Sequence, residues 1–323
     1  MNSEYLLEVK DLKTHFFTRR GVVKAVDGVS FNLRQGETLG LVGESGSGKS
    51  VTCFSVIQLV EKPAGRIVGG EVIFAGEDLL KKTEKEMIDI RGKRISMILQ
   101  DPMMSLNPLY TIGDQVSEPV IIHQKADKPS AWKRALEMLK RVRIPAPEVR
   151  MREYPHQMSG GMRQRISGAM VLSCQPGLLI ADEPTTALDV TVQAQFLRLF
   201  KEIQQQYNLG MIVVTHDFGI VARVCDRVAV MYGGKIVETA DVRELFNNPT
   251  HPYTIALMNS LPKMEERVEE LYSIEGQPPE LHNLPPGCTF APRCPSRMEI
   301  CLKEYPAQSQ VKNGHSMSCW LNS

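Results

Sequence analysis

The apolar and polar positions along the chain fall into two kinds of pattern. Between residues 5 and 42 apolar residues alternate with polar ones (Leu7, Val9 and Leu12, then Val22, Val26, Val29, Phe31 and Leu33), and turn signals stand at Arg20-Gly21 and Gln35-Gly36. This predicts antiparallel strands with one face in a core. The other pattern is the short continuous apolar run, seen in Thr38-Leu39-Gly40-Leu41-Val42, Ile95-Ser96-Met97-Ile98-Leu99, Leu178-Leu179-Ile180-Ala181 and Met211-Ile212-Val213-Val214. Such runs predict strands buried within a sheet covered by helices. Gly69 to Gly76 reads as a further strand and turn, residues 84–92 as a helix, and residues 111–143 as largely helical with Trp132, Ala135, Leu136, Leu139 and Val142 on one face. Strands alternating with helices predict an α/β class: a mixed sheet flanked by helices, an antiparallel β subdomain, and a helical subdomain over about residues 101–170.

Beyond Thr239-Ala240 the pattern changes. Residues 241–247 read as a short helix, Glu265-Glu266-Arg267-Val268-Glu269-Glu270 as a solvated helix face, and prolines then dominate from Pro278 to Pro295. The expected division is a main domain over 1–245 and a small irregular extension over 246–323. At 323 residues the chain exceeds one typical domain.

Composition narrows the function. A formal net charge of +1 excludes a strongly electrostatic nucleic-acid binder, so no nucleic-acid partner is expected. No apolar run reaches bilayer length, and Met1-Asn2-Ser3-Glu4 opens no secretion leader. The protein is expected to be cytosolic, with any membrane work done through partners.

The chemistry is concentrated at strand ends. Gly43-Glu44-Ser45-Gly46-Ser47-Gly48-Lys49-Ser50 fits G-x-x-x-x-G-K-[ST] between a strand and a helix. Gly43, Gly46 and Gly48 allow consecutive N–H groups, that of Ser45 included, to face an anion. Lys49 reaches β- and γ-phosphates, and the Ser50 hydroxyl is a Mg²⁺ ligand. Gln100 ends the 95–99 strand and leads into the irregular segment Asp101 to Pro108. Ser159-Gly160-Gly161 opens a helix, a second place where N–H groups are exposed to an anion. Asp182 and Glu183 end the 178–183 strand, the first placed to hold Mg²⁺ and the second to polarise a water. Asp189 follows in a turn, and His216 lies at the carboxyl end of the last core strand, where α/β sheets bind ligands. Phe16, with Phe17 in reserve, is the aromatic expected to stack on an adenine.

In this order and spacing, the phosphate loop, Gln100, Ser159-Gly160-Gly161, Asp182-Glu183, Asp189 and His216 resemble the ATP-binding-cassette family over residues 5–245. Leu99 to Pro108, Ala181 to Thr191 and the tail beginning His251-Pro252-Tyr253-Thr254 resemble more narrowly the ATPase subunits of bacterial dipeptide and oligopeptide importers. The resemblance implies ATP with Mg²⁺, and a head-to-tail dimer with a second cassette ATPase, the same chain or a paralogue. It also implies two transmembrane permeases, an extracytoplasmic binding protein reached indirectly, and a place on the cytoplasmic face of the cell membrane. In such a dimer Ser159, Gly160 and Gly161 complete the partner's nucleotide site, Asp189 lies at the interface, His216 meets the γ-phosphate, and Gln100 links Mg²⁺ and water to the permease. Met158 and Met162 depart from the family's usual Leu and Gln, with little loss expected. Nickel chelates, glycans or opines are alternative cargoes. A soluble cassette ATPase of DNA repair or translation is the rival from another class; the single cassette and near-neutral charge stand against it.

Of the seven cysteines, Cys53, Cys174 and Cys225 fall in apolar patterns, whereas Cys288, Cys294, Cys301 and Cys319 form C-x5-C-x6-C-x17-C in the tail. Four thiolates suit a [4Fe–4S] cluster or tetrahedral zinc, and the spacing alone leaves the ion open. The resemblance favours the cluster, since some peptide-importer ATPases carry one in this tail.

Overall fold

The computed structural model describes residues 4–100, 105–185, 188–260 and 273–322. The charge run at Glu265 to Glu270 and the first part of the irregular segment, residues 101–104, lie outside the described residues. The chain folds as two compact units interleaved along the sequence: Met1–Leu6, Leu33–Thr38 and Ala75–Val214 form one, and Leu7–Asn32, Leu39–Phe74 and Thr215–Ser323 the other.

In the first unit the strands Ile95–Ile98, Leu178–Asp182 and Gly210–Thr215 run parallel and adjacent, with Ile98 opposite Ala181 and Ala181 opposite Val213. Every residue of Leu178–Asp182 is buried, as its continuous apolar run requires. The helix Glu84–Ile90 starts on a capping box between Thr83 and Glu86, which accounts for its sharp onset. The helices Ile112–Gln124, Lys128–Arg141 and Gly160–Leu172 pack on one another. The apolar face of the second buries Ala131, Ala135, Met138 and Leu139, while Trp132 and Leu136 of the expected face are only half-buried.

The second unit holds an antiparallel sheet in which Leu7–Thr18 pairs with Gly65–Phe74, Leu7 opposite Phe74 and Phe16 opposite Gly65. The latter strand starts before the Gly69 that the apolar pattern marks. Leu39 to Val42 runs parallel to Arg227–Tyr232, which pairs antiparallel with Lys235–Asp241. The tail departs from the irregular extension expected of it: His315–Met317 pairs antiparallel with Lys235–Asp241, and Ser309–Lys312 pairs with His315–Met317. These strands are too short, at 3 and 4 residues, to leave a periodic signal.

The tail is also better anchored than its prolines suggest. Phe290 packs on Tyr232 and Tyr253, with ring centroids 5.2 and 5.3 Å apart, and all three rings are fully buried. Beside them the fully buried Glu238 accepts hydrogen bonds from Thr250 Oγ1 at 2.6 Å and from the His251 backbone N–H at 3.1 Å, and its Oε1 lies 2.8 Å from His315 Nε2. Burial alone would raise this carboxyl, but its hydrogen bonds with Thr250, Thr254 and His315 hold it below the usual range.

Candidate nucleotide site

In the second unit the buried Thr38–Val42 strand delivers the chain into the phosphate loop, and Gly48 caps the helix Lys49–Val56 in the left-handed region at φ 102°. A Cβ on Gly48 would stand 2.2 Å from the Ala25 carbonyl oxygen, and one on Gly43 would stand 2.2 Å from that of Met231. Both positions therefore require glycine. Gly234 N–H donates to the Ser47 carbonyl at 3.0 Å and ties the loop to the sheet. Ser45 and Gly46 stand exposed at the loop tip, and Ser50, half-buried, follows Lys49 in the first turn. The Lys49 ammonium is nearly buried, at 5% exposure, and donates to the carbonyls of Gly43 at 2.8 Å and Glu44 at 2.9 Å. The loop is thus wrapped around one fixed cation.

His216 lies exposed just past Thr215. Thr215 Oγ1 accepts from Asp217 N–H at 3.0 Å, and Asp217 caps the helix Phe218–Val224 through Gly219 N–H at 2.7 Å, so the backbone on either side of His216 is fixed. Phe16 is half-buried, and a Cβ on Gly65 would lie 2.8 Å from its ring; Phe17 is exposed beneath the Arg66 guanidinium, 5.2 Å from the ring centroid.

In the first unit the register brings two of the marked residues together. Ile98 lies opposite Ala181, so two residues further on Gln100 meets Glu183: Gln100 Nε2 donates to Glu183 Oε2 at 3.0 Å. Glu183 holds φ 43°, a conformation that costs a non-glycine residue on the order of 1 kcal/mol or more and is found at functional sites. Its N–H donates to the Val214 carbonyl at 2.9 Å, while Asp182, the last residue of its strand, is buried at 3% exposure.

Ser159 caps the helix Gly160–Leu172, its Oγ accepting from Met162 N–H at 3.3 Å. Asp189 caps Val190–Tyr207 in the same way, accepting from Val192 N–H at 2.9 Å. The two helix starts adjoin, because a Cβ on Gly161 would lie 2.7 Å from Val192 Cγ1; Gly160 faces open space. Ser159, Gly160 and Asp189 are all exposed. One participant was not marked in the sequence. Gln164, 1% exposed, donates through Nε2 to the Pro184 carbonyl and so supports the backbone next to Glu183. No signal in the sequence marked it, since Gln164 stands between Arg163 and Arg165.

The first unit also carries a cavity of about 720 Å³ lined by Asn107, Tyr110, Glu118, Ile122, Trp132 and Met170 among others.

Two family models match: ABC transporter over residues 26–186, and oligopeptide/dipeptide transporter C-terminal region over residues 237–301. The chain is 51% identical over 318 residues to the dipeptide transport ATP-binding protein DppD of Bacillus subtilis, covering 98% of this chain and 95% of that one. It belongs to the ABC transporter family. A further relative of this kind is the oligopeptide transport ATP-binding protein OppD of Escherichia coli, 47% identical over 98% of this chain and 94% of its own length. Among solved structures, a dimeric ATP-binding cassette, MJ0796, in a post-hydrolysis state with ADP and Pi is 27% identical with a TM-score of 0.66, covering 73% of this chain and 99% of that one. As an ABC ATPase the chain binds and hydrolyses ATP, on the mixed sheet, flanking helices and antiparallel strands described above. Among the described residues no helix is long and apolar enough to cross a membrane.

The metal expectation for the tail finds only partial support in the arrangement of its cysteines. Cys288, Cys294, Cys301 and Cys319 do line one small cavity, and none of the seven cysteines forms a disulfide. Among the described residues, however, no group of three or more His, Cys, Asp or Glu side chains is arranged to hold a metal ion. Burial pushes the Cys288 thiol up to about 11, with Cys301 and Cys319 adding to the effect.

Proposed function

We propose that this chain is the ATPase that powers peptide import through a membrane permease. The observation that carries the reading is the Gln100–Glu183 pair at the ends of two adjacent parallel strands, in a chain about half identical to dipeptide and oligopeptide transport ATP-binding proteins over nearly its whole length.

In this reading Lys49 and the N–H groups of Gly43, Ser45, Gly46 and Gly48 take the phosphates, with Ser50, Asp182 and Gln100 around Mg²⁺. Glu183 accepts a proton from the attacking water, and His216 donates to the γ-phosphate. Phe16 stacks on the adenine. Ser159 and Gly160, exposed at a helix start, together with the half-buried Gly161 complete the site of a second ATPase across a dimer in which Asp189 lies at the interface. ATP closes the dimer, the permease switches its open side, and hydrolysis reopens it. The domain bounds that go with this are an ATPase domain over 1–245 and an extension over 246–323. The permeases dock on the cytoplasmic face of the membrane at the cavity beside Tyr110 and Trp132, where Leu109 and Tyr110 are 81% and 57% exposed.

The test is to purify the tagged full chain from detergent-solubilised membranes of its own cell and reconstitute what accompanies it. Multi-span permeases and a cassette ATPase are expected, with ATP hydrolysis stimulated by di- or oligopeptides in the presence of the binding protein. Stimulation by a nickel chelate or glycan and not by peptides would overturn the cargo, and purely soluble partners would overturn transport.

For the tail, the proposal is that the four cysteines serve as thiolates toward an iron–sulfur cluster or zinc. The shared cavity supports this, and ligand binding would have to draw the thiols together and displace their protons. Protein prepared without oxygen is expected to contain iron and acid-labile sulfide. Stoichiometric zinc in colourless protein would replace the cluster with zinc, and neither would overturn the metal reading.

A further inference from the structure

The pattern G-x-x-x-x-G-K-[ST] leaves its second position open, and here that position is a carboxylate. Glu44 is an unfavourable residue at the mouth of a loop built for a triphosphate, because its charge repels the ligand. The second unit answers this from its own tail. Arg293 meets Glu44 as a two-pronged fork, Nη1 donating to Oε2 at 2.7 Å and Nη2 to Oε1 at 3.1 Å. The Arg293 side chain is 5% exposed and that of Glu44 26%.

The guanidinium is fixed from every other side. Its Nε donates to the Glu275 carbonyl at 3.0 Å, Nη2 to that of Ile274 at 3.2 Å, and Nη1 to Tyr232 Oη at 3.3 Å. A second tether reaches the same loop residue: Glu44 N–H donates to the hydroxyl of the fully buried Tyr253 at 2.9 Å. The Glu44 carbonyl in turn accepts from Lys49 Nζ. A continuous path of polar contacts therefore runs from the tail, through Glu44, to the phosphate-binding lysine.

We infer that Arg293 is a positioning residue for the phosphate loop: it neutralises Glu44 and holds the loop in its nucleotide-accepting shape, so that the C-terminal extension sets ATP affinity. This rests on the ATPase reading of the loop. Arg293 touches no phosphate in this scheme, and its effect belongs to binding rather than to the chemical step.

The experiment is equilibrium binding of MgATP to the full chain, with thermal unfolding measured with and without nucleotide. Arg293→Ala is expected to raise Kd about tenfold, a typical size for loss of a coupled charged pair. In the assembled transporter KM for ATP should rise with kcat unchanged. Arg293→Lys, which keeps the charge and loses the fork, should lie between wild type and Arg293→Ala. The double variant Glu44→Ala/Arg293→Ala should recover most of the loss, because the repelling carboxylate goes with its partner. A merely structural role predicts instead that both melting curves fall together while Kd holds. Arg293→Ala or Arg293→Lys binding like wild type, or a double variant as weak as Arg293→Ala, would overturn the inference alone. Wild-type protein that bound no nucleotide would overturn the ATPase reading and this inference with it.

Discussion

Glu183→Gln is expected to bind ATP as the wild type does and to hydrolyse it about 10²–10⁴-fold more slowly, the usual worth of a positioned general base. The amide is the same size as the carboxylate, and its oxygen can still accept from Gln100 Nε2, so the pair at the two strand ends survives. The left-handed backbone at this position is unchanged by the substitution, and so is the N–H bond to Val214. What the amide cannot do at neutral pH is take a proton from water. Steady-state turnover set beside equilibrium nucleotide binding separates the two effects. A variant that turned over at the wild-type rate would remove Glu183 from the role of base.

Lys49→Ala should act on the other quantity. The ammonium is nearly buried and held by two loop carbonyls, so its position is set before nucleotide arrives and little ordering cost is added on binding. A hydrogen bond to a charged group contributes roughly 1.5–3 kcal/mol, and in the proposed reading this cation meets both the β- and γ-phosphates. Loss of about 10²-fold or more in ATP affinity follows, with hydrolysis lost as a consequence of poor occupancy. Lys49→Arg is not expected to rescue it, since a planar fork does not fit between the Gly43 and Glu44 carbonyls as a compact ammonium does. Titration with a fluorescent ATP analogue reads the effect directly. Affinity within a factor of two of wild type would show that the backbone N–H groups alone bind the phosphates.

The phosphate loop was legible because its geometry leaves almost no choice of residue. Backbone lies 2.2 Å from where a Cβ would be at Gly43 and Gly48. The buried strands were legible for a similar reason, since full coverage forces continuous apolar runs such as Leu178–Asp182. The meeting of Gln100 and Glu183 was half legible. Each could be placed at a strand end, but their contact depends on which strands are neighbours and in what register, and apolar runs carry neither. Contacts between distant segments were silent. Glu44 and Arg293 are 249 residues apart, and Gln164 supports Pro184 from a helix whose pattern says only that it is buried. In the tail, proline content hid two short strands and a ring of buried aromatics, because a three-residue strand held by its partner needs no propensity of its own.

Those short strands bear on how the protein can be handled in the laboratory. His315–Met317 lies along Lys235–Asp241, a strand that would otherwise present a row of unpaired backbone groups. Shortening the gene to express a minimal cassette of residues 1–245 would uncover that row together with Tyr232, whose ring Phe290 covers. The shortened product would tend toward inclusion bodies through edge-to-edge pairing, however sound its nucleotide loop. Affinity tags and fusion partners are accordingly better placed at the amino end.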